Sequence, residues 1–487
     1  MRRSLIAAVA AAAVAVPLTL TATGTASAAP RPPKAPVTDF NKDGYADLAF
    51  SAAYGSAGGK KGAGYVAVVY GSENGPDRAH PRLIDRTTPG VPGDAREDDL
   101  FGSELVVGDF NKDGYTDLVA GGHPMTKAVL LWGSATGLTG ASGEVANGAY
   151  GNITAGDFDG DGNRDLVNEV YPEHGNDVAT LTVSYGPFTA QGHPARKKAV
   201  RVPTEPGLLD LVAGDLNGDG VDDLVTNNGD EDGPLASRFW KGTRNGLSGT
   251  SAKALKPSRG GVVADVDGDG YGDFVTRAVS GDGEAQSDDK GTVRVDYGSK
   301  NGPAATRSVK LTQDSPGVPG TGERGGPIPG ADGEYHRGDR FGASLGAADV
   351  NGDGYADIAV GIPGKDVTTG GKKAYDTGGV VLLKGARSGL SGKGAQAFTQ
   401  STAGVPGVSE TGDGFGSEVL LSDVDGDKKA DLTGTAPLED TTVQDVGAAW
   451  VLKGTKSGLT ATGSTSFGPA ALGAPDERSY FGAWVGR

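Results

Sequence analysis

The chain has 487 residues, no cysteine, 84 glycines and a formal net charge of −17. The lack of cysteine excludes a disulfide scaffold, and the acidic balance argues against a nucleic-acid partner. A chain of this length fits two or three ordinary domains or one large repeat array.

The N-terminus has the organisation of a secretory signal. Two arginines at positions 2 and 3 precede an uncharged apolar stretch, and Ala26-Ser27-Ala28 fits a cleavage site. We predict a signal peptide over 1–28, a Pro-rich linker over 29–37 and a secreted mature chain without a membrane span. A transmembrane anchor is the alternative, but the apolar stretch is short for a span. The arginine pair also fits a twin-arginine signal.

A nine-residue pattern then occurs seven times, starting at Asp39, Asp109, Asp157, Asp215, Asp265, Asp349 and Asp423. Asp or Asn occupies positions 1, 3, 5 and 9 of each copy, a spacing that wraps several oxygen ligands around one Ca²⁺. Position 6 is Gly except at Lys428, as expected where a loop bends with positive φ. Position 7 varies freely, as expected if only its carbonyl oxygen is a ligand. Position 12 lacks the Glu of an EF-hand.

These loops predict up to seven Ca²⁺ ions, with the Asp423 loop the least regular because of Lys428. The alternative is a set of metal-free polar turns, which would leave repelling oxygens without a counter-ion. The predicted ligands, with position 7 acting through its carbonyl, are Asp39, Asn41, Asp43, Tyr45, Asp47, Asp109, Asn111, Asp113, Tyr115, Asp117, Asp157, Asp159, Asp161, Asn163, Asp165, Asp215, Asn217, Asp219, Val221, Asp223, Asp265, Asp267, Asp269, Tyr271, Asp273, Asp349, Asn351, Asp353, Tyr355, Asp357, Asp423, Asp425, Asp427, Lys429 and Asp431.

Apolar strand patterns run in step with the loops. Each loop is followed by an apolar strand that ends in a Gly turn, as in the segment from Val66 to Gly71, and successive loops start 48 to 84 residues apart. The segment from Phe481 resembles the start of a unit, which the first loop lacks. We therefore predict an all-β, seven-bladed β-propeller of four-stranded antiparallel blades over 38–487, its ring closed by the C-terminal strand completing the first blade.

The order Phe-Gly, calcium loop and Gly-rich turn resembles the FG-GAP repeat of integrin α subunits and many secreted bacterial proteins. Phe-Gly precedes loops at Phe101, Phe341 and Phe415, and Gly361-Ile362-Pro363 stands where that repeat has Gly-Ala-Pro. Units three to five lack a clear Phe-Gly, so we expect irregular inner strands there. The resemblance implies calcium in the loops and a ligand-recognition face.

If the calcium hairpins join the first and second strands, the variable connections lie on the other face of the propeller. These connections are 51–63, 280–291, 365–379 and 437–446. The sequence predicts a monomeric, non-catalytic recognition or adhesion module for an unknown protein or glycan ligand. A carbohydrate-binding lectin is one alternative, and a polysaccharide-active propeller enzyme is another.

Individual residues and short motifs bear on the choice between these alternatives. No linear catalytic motif occurs, although a propeller enzyme gathers its residues from several blades. Four tryptophans are candidates for stacking on a sugar, but three lie in repeat strands and fit a core position better: Trp132, Trp240 and Trp450, with Trp484 as the fourth. The Arg337-Gly338-Asp339 triplet suggests adhesion, yet Asp339 recurs at the same place in other units as Asp99 and Asp413.

Overall fold

The computed structural model describes residues 38–487 apart from 123–126, 147–151, 171–179, 203–207, 231–232, 252, 282–285, 305, 331–332 and 476. The predicted signal peptide and linker lie outside the described residues. Within that part of the chain, no helix is both long enough and apolar enough to cross a membrane.

Seven antiparallel sheets form the blades of a propeller, six with four strands and the first with three. Blades one to three contain β1 (Leu48–Ala52), β2 (Tyr65–Tyr70) and β3 (Asp77–Ile84); β4 (Leu105–Gly108), β5 (Asp117–Ala120), β6 (Ala128–Leu131) and β7 (Ser142–Val145); and β8 (Ile153–Gly156), β9 (Asp165–Val170), β10 (Thr180–Tyr185) and β11 (Arg196–Arg201). Blades four and five contain β12 (Leu208–Gly214), β13 (Asp223–Asp230), β14 (Gly233–Trp240) and β15 (Lys253–Ala254); and β16 (Ser258–Ala264), β17 (Asp273–Ala278), β18 (Val293–Asp296) and β19 (Ser308–Leu311).

Two small hairpins and two further blades complete the chain. The first hairpin, β20 (Gly326–Pro327) with β21 (Tyr335–His336), precedes blade six, and the second, β24 (Val367–Thr369) with β25 (Lys372–Ala374), is inserted in it. Blade six contains β22 (Leu345–Ala348), β23 (Asp357–Gly361), β26 (Val380–Leu383) and β27 (Gln396–Phe398), and blade seven contains β28 (Val419–Ser422), β29 (Asp431–Ala436), β30 (Ala448–Thr455) and β31 (Gly458–Phe467), before a 3-10 helix at Pro469–Leu472. The prediction of an all-β, seven-bladed propeller is confirmed.

The core lies between neighbouring blades. The middle strands β5 and β6 are buried along their whole length because other strands and the next blade cover them, whereas the outer strand β11 is mostly exposed. Phe40 of the first loop packs in one cluster with Phe101 and Leu118 of the second blade. The apolar residues that flank each loop therefore join one blade to the next.

The seven predicted calcium loops all lie on one face of the propeller. In blades two to seven each loop joins the first strand to the second, as between β4 and β5, and in blade one the loop directly precedes β1. We call this the hairpin face. The connections from the second strand to the third, and from each blade to the next, lie on the opposite face.

Inner strands are irregular in two of the three units without Phe-Gly. The pairing register shifts between Leu208 and Asp210 in blade four, and between Arg259 and Val262 in blade five. In blade three, β8 pairs regularly with β9. The expected irregularity is thus confirmed for blades four and five and wrong for blade three.

The C-terminal segment lies beside β1. The Ser51 N–H donates to the Trp484 carbonyl (2.9 Å), the Gly482 N–H donates to the Ser51 carbonyl (2.8 Å), and Phe50 bridges to Val485. The Phe481 ring stacks on Phe50 with centroids 5.1 Å apart. Closure of the ring by this segment as a fourth strand of blade one stays a prediction.

Candidate functional site

All seven hairpin loops share one hydrogen-bonded conformation. In each loop the carboxylate at position 1 accepts the N–H of position 6, at 2.8 to 3.0 Å. The carboxylate at position 5 accepts the N–H of position 7, at 2.8 to 3.1 Å. Because the backbone itself turns these carboxylates inward, the loops hold oxygen atoms ready for a cation.

Two bends in each loop require a left-handed backbone. At position 6, φ is positive in every copy, from +77° at Gly220 to +93° at Gly44, and it is +69° at Lys428. The expected positive φ at this bend is therefore present, and Lys428 adopts it at a cost that Gly does not bear. A second positive φ occurs at position 4, from +60° at Lys42 to +76° at Gly352. This second bend was not predicted from the sequence, although five copies have Gly there.

The aspartate at position 9 connects each loop to the Gly turn of its own blade. Asp47 accepts the Phe40 N–H (2.7 Å) with one carboxylate oxygen and the Gly71 N–H (2.9 Å) with the other. All seven loops repeat this pair of bonds. Both repeats are visible in the sequence, but this contact between them was not predicted. Each oxygen keeps a second lone pair that can face an ion.

Burial perturbs the position-9 carboxyls strongly. Loss of hydration raises the pKa of five of these carboxyls to about 7 and of the other two to about 8. The hydrogen bonds from backbone N–H groups lower the pKa, but by less than burial raises it. The two with the higher pKa are Asp165 and Asp273. A bound cation would favour the ionised form of all seven.

The donor atoms fit a hard divalent cation. In three loops the carboxylate oxygens of three aspartates lie within 4.8 Å of one another, and these are the loops with Asp at position 3: Asp159, Asp267 and Asp425. In the seventh loop the buried Asp423 Oδ1 has no hydrogen-bond partner, which is what a missing ligand would leave. Positions 1, 3, 5 and 9 together with the position-7 carbonyl would hold the ion in each loop.

The extra negative charge at position 3 is compensated within each of those three blades. Arg196 pairs with Asp159 at 2.5 Å, Arg307 pairs with Asp267, and Lys453 pairs with Asp425 at 2.9 Å. Each cation contacts Oδ2, while Oδ1 accepts a backbone N–H within the loop. The basic residue therefore balances the added charge from outside the loop.

Neighbouring loops are hydrogen-bonded to each other. The N–H at position 8 donates to the position-1 carbonyl of the preceding blade, as Thr116 does to Asp39 (2.9 Å) and Ala430 does to Asp349 (3.0 Å). The series also crosses from blade seven to blade one, where Ala46 donates to Asp423 (3.0 Å). Six of the seven junctions have this bond, and between the described residues of blades two and three it is missing.

The opposite face carries the exposed apolar side chains. Among the described residues, the large hydrophobic side chains with the most exposure are Tyr54 (45%), Val170 (43%), Tyr335 (56%) and Val408 (63%). All four lie in connections or strand ends of the opposite face. Tyr54 belongs to the predicted binding segment 51–63, and its ring lies 5.0 Å from that of Tyr480.

Other candidate residues are placed inside the fold. Trp240 and Trp450 are buried and Trp132 nearly so, whereas Trp484 is half-buried, which fits the core interpretation of three tryptophans. Asp339 is fully buried and pairs with Lys365 at 3.1 Å, so the Arg-Gly-Asp triplet does not present its carboxylate to a partner.

Models of known families match several blades of the propeller. The FG-GAP repeat model matches residues 34–69, 341–383 and 415–452, and the FG-GAP-like repeat model matches 109–167. Phosphatidylinositol-glycan-specific phospholipase D from Rattus norvegicus and from Mus musculus are each 33% identical over 144 residues, which cover 26% of this chain and 17% of each relative. This chain thus matches about a sixth of the length of those relatives.

Two solved structures have a distant likeness to the chain. They are an arginine-to-alanine triple mutant of AofleA from Arthrobotrys oligospora, with a TM-score of 0.36 over 79% of this chain and 95% of that one, and the V. cholerae biofilm matrix protein Bap1, with a TM-score of 0.28 over 82% and 86%. Both are 10% identical to this chain. Likenesses this distant carry no argument about function.

Proposed function

We propose that this chain, a propeller built of FG-GAP repeats, is a secreted, calcium-stabilised recognition module that binds a protein or glycan on the opposite face and catalyses no reaction. The observation that carries the proposal is that, among the described residues, the four large hydrophobic side chains with the most exposure all lie on that face. Exposed aromatic and apolar side chains on the variable connections of a rigid scaffold are typical of recognition surfaces.

In this proposal the hairpin face stabilises the propeller and the opposite face binds the partner. Calcium in the hairpins would hold the blades in place from one side, while the variable connections on the other side meet the partner. Tyr335 is well suited to this contact because it is exposed (56%) and its hydroxyl is held by Asp288 at 3.0 Å. Aromatic side chains with a polar end are enriched in recognition surfaces.

A binding assay with matched variants tests this proposal. The mature chain in millimolar calcium is applied to a glycan array and to immobilised cell-wall polysaccharides and proteins, and Tyr335→Ala is compared with Tyr115→Ala on the hairpin face. We expect a specific ligand whose binding falls at least about tenfold with Tyr335→Ala and stays unchanged with Tyr115→Ala. Equal loss in both variants, or no ligand in any panel, would count against the opposite face as the binding site. Glycan binding would favour the lectin alternative.

A second candidate function, a polysaccharide-active enzyme, has one feature in its favour. Glu104, Asp210 and Glu418 stand at the starts of inner strands of three blades and interact with one another and with Arg487. Burial raises the pKa of all three, most strongly that of Glu104. Glycoside hydrolysis needs one protonated and one ionised carboxyl group.

An assay of polysaccharide turnover distinguishes the enzyme from the recognition module. An enzyme would release reducing sugar from a polysaccharide panel, and Glu104→Gln or Glu418→Gln would abolish the release. We expect no turnover from the natural chain. Release of sugar that depends on these two carboxyls would replace the recognition proposal.

A further inference from the structure

A mixed cluster of imidazole and carboxylate groups lies on the opposite face, between blades five and six. The potential ligand atoms of His336, Asp366 and Asp376 all lie within 4.8 Å of one another. Glu323 is beside them, because Lys373 contacts both Glu323 and Asp366. We call these four acidic and imidazole residues the junction cluster. They belong to two separate connections, 312–344 before β22 and 362–379 after β23.

Asp366 is the most deeply buried member of the junction cluster. Its side chain is 2% exposed, and Oδ1 accepts the Asp376 N–H at 2.9 Å. Oδ2 accepts no hydrogen bond, although His336 Nδ1 lies 3.6 Å away and the Lys373 ammonium 3.0 Å away, outside hydrogen-bond alignment. This buried carboxylate oxygen therefore has an ion-pair partner in Lys373 but no aligned hydrogen bond, so a metal ion could take the place of the ammonium group.

The other two groups are held in place around that oxygen. The Arg337 N–H donates to both oxygens of Asp376, at 3.0 and 3.1 Å, and the Asp376 backbone is left-handed with φ of +51°. The His336 side chain is 11% exposed, and its ring packs against Tyr375 with centroids 5.2 Å apart. The ligand side chains are therefore ordered by the protein before any ion arrives.

The junction cluster contains three carboxylates but one directly paired ammonium group among the described residues. Lys373 forms ion pairs with Glu323 and Asp366, whereas Arg337 and Arg340 act on Asp376 electrostatically without a direct ion pair in the part of the chain that the structure describes. The Lys373 side chain is 40% exposed and extends from the inserted hairpin β24–β25. A divalent cation would add positive charge in direct contact with these carboxylates.

We propose that His336, Asp366 and Asp376, with Glu323 beside them, bind a divalent transition-metal ion such as Zn²⁺, separately from the hairpin loops. One imidazole with carboxylate oxygens is a donor set that suits Zn²⁺, whereas calcium takes oxygen ligands alone. In a tetrahedral Zn²⁺ site with bonds of about 2.0 to 2.2 Å the ligand atoms lie roughly 3.3 to 3.6 Å apart, so the side chains, whose ligand atoms now lie within 4.8 Å of one another, would move closer by up to about 1.5 Å when the ion binds. The His336 Nδ1 would exchange its present contact with the Arg337 carbonyl (3.0 Å) for the ion if this nitrogen is the ligand.

Such an ion would tie together two connections that lie next to the exposed Tyr335. The site goes beyond the proposed recognition role and does not depend on it. The competing interpretation is a salt-bridge cluster in which Lys373 is the resident cation, and metal binding must then displace its ammonium group.

Titration of the mature chain with Zn²⁺, measured by calorimetry in millimolar Ca²⁺, tests the site, because the Ca²⁺ is there to fill the hairpin loops before Zn²⁺ is added. We expect one Zn²⁺ per chain, a loss of at least about tenfold in affinity with His336→Ala, and tighter binding with Lys373→Met. His80→Ala is the matched control, since His80 pairs with Asp77 on the exposed surface at 2.8 Å. That variant should bind like the natural chain.

Thermal unfolding of each variant in calcium shows that the fold is intact before the titration is interpreted. Zn²⁺ binding that survives His336→Ala would overturn the proposal, and so would the absence of binding by the natural chain, whatever Lys373→Met does. Selective loss with His336→Ala in a folded chain would establish the site.

Discussion

The aspartate at position 9 has a structural role that is separate from any ion. In blade six, Asp357 is fully buried and accepts the Val350 N–H (3.1 Å) and the Gly385 N–H (2.9 Å). Asp353 at position 5 is exposed and accepts one N–H, from Tyr355 (3.1 Å). The two aspartates of one loop therefore differ in what they support when the loop holds no metal.

We predict that Asp357→Ala lowers the free energy of unfolding by about 2 to 4 kcal/mol both in chelator and in calcium, because two buried N–H donors lose their acceptor. Asp353→Ala should have little effect in chelator and reduce the stabilisation that calcium provides. Thermal and denaturant unfolding in the two buffers measures both effects. Equal behaviour of the two variants would contradict this division of roles.

Lys428 is the one residue that occupies position 6 without being Gly. Its φ is +69°, a region that costs an L-residue about 1 to 2 kcal/mol, and its charge would oppose a bound cation. We predict that Lys428→Gly stabilises the chain by about 1 kcal/mol in chelator and increases calcium affinity in that loop. Gly354→Lys, the same change in reverse in blade six, should destabilise. A melting temperature that moves in the same direction for both variants would disprove the strain argument.

At the scale of the elements, loop and strand identity could be predicted from local patterns, whereas contacts between them could not. The spacing of oxygen-bearing side chains and the Gly at position 6 indicated the hairpins, because both features lie within nine residues. The bond from Gly71 to Asp47 joins residues 24 apart, and no local pattern reports that distance. Arg307 and Asp267 form a salt bridge although they are 40 residues apart, so a local pattern could not predict their pairing either.

The junction cluster shows the same limit for the candidate sites. His336 was one of several scattered histidines in the sequence, and Asp366 and Asp376 belonged to a variable connection without a motif. Only folding of two connections onto each other brings the three side chains together. In contrast, the alternation of antiparallel strands was enough to predict which face carries the variable connections.

The seven hairpins together predict a pH dependence of stability. Burial raises the pKa of Asp47 to about 7 and of Asp165 to about 8, well above the ordinary value of an aspartate. Between about pH 4 and pH 8 the folded, metal-free chain therefore binds more protons than the unfolded chain, and its stability falls as the pH rises.

Chelator-treated protein should accordingly melt at lower temperature at pH 8 than at pH 5, and calcium should reduce this difference because it favours the ionised carboxyls. Calcium binding near neutral pH should release protons, which calorimetry in buffers of different ionisation enthalpy measures. Calcium uptake without proton release would show that the position-9 carboxyls are already ionised.

The whole molecule depends on how its last segment meets its first blade. Residues 482–486 supply backbone partners to β1, and Phe481 stacks on the buried Phe50. We predict that removal of 481–487 lowers the melting temperature by many degrees, because β1 and the core beside it become exposed to water. Lys197→Ala, a charge removal on the exposed outer strand β11, is the control and should leave the melting temperature nearly unchanged. An intact melting temperature after truncation would refute ring closure by this segment.

The loop-to-loop hydrogen bonds on the hairpin face have a consequence for how calcium is taken up. Six junctions link the loops into a single series that begins at blade three, passes from blade seven to blade one and ends at blade two. An ion that orders one loop would also fix the carbonyl or N–H that its neighbour uses, so the second ion would find part of the ordering done. The propeller would then bind calcium cooperatively, with a Hill coefficient above 1, and would fill its loops over a narrow range of calcium concentration. The loops of blades two and three would be the two ends of this cooperative series, because no loop-to-loop bond joins them among the described residues.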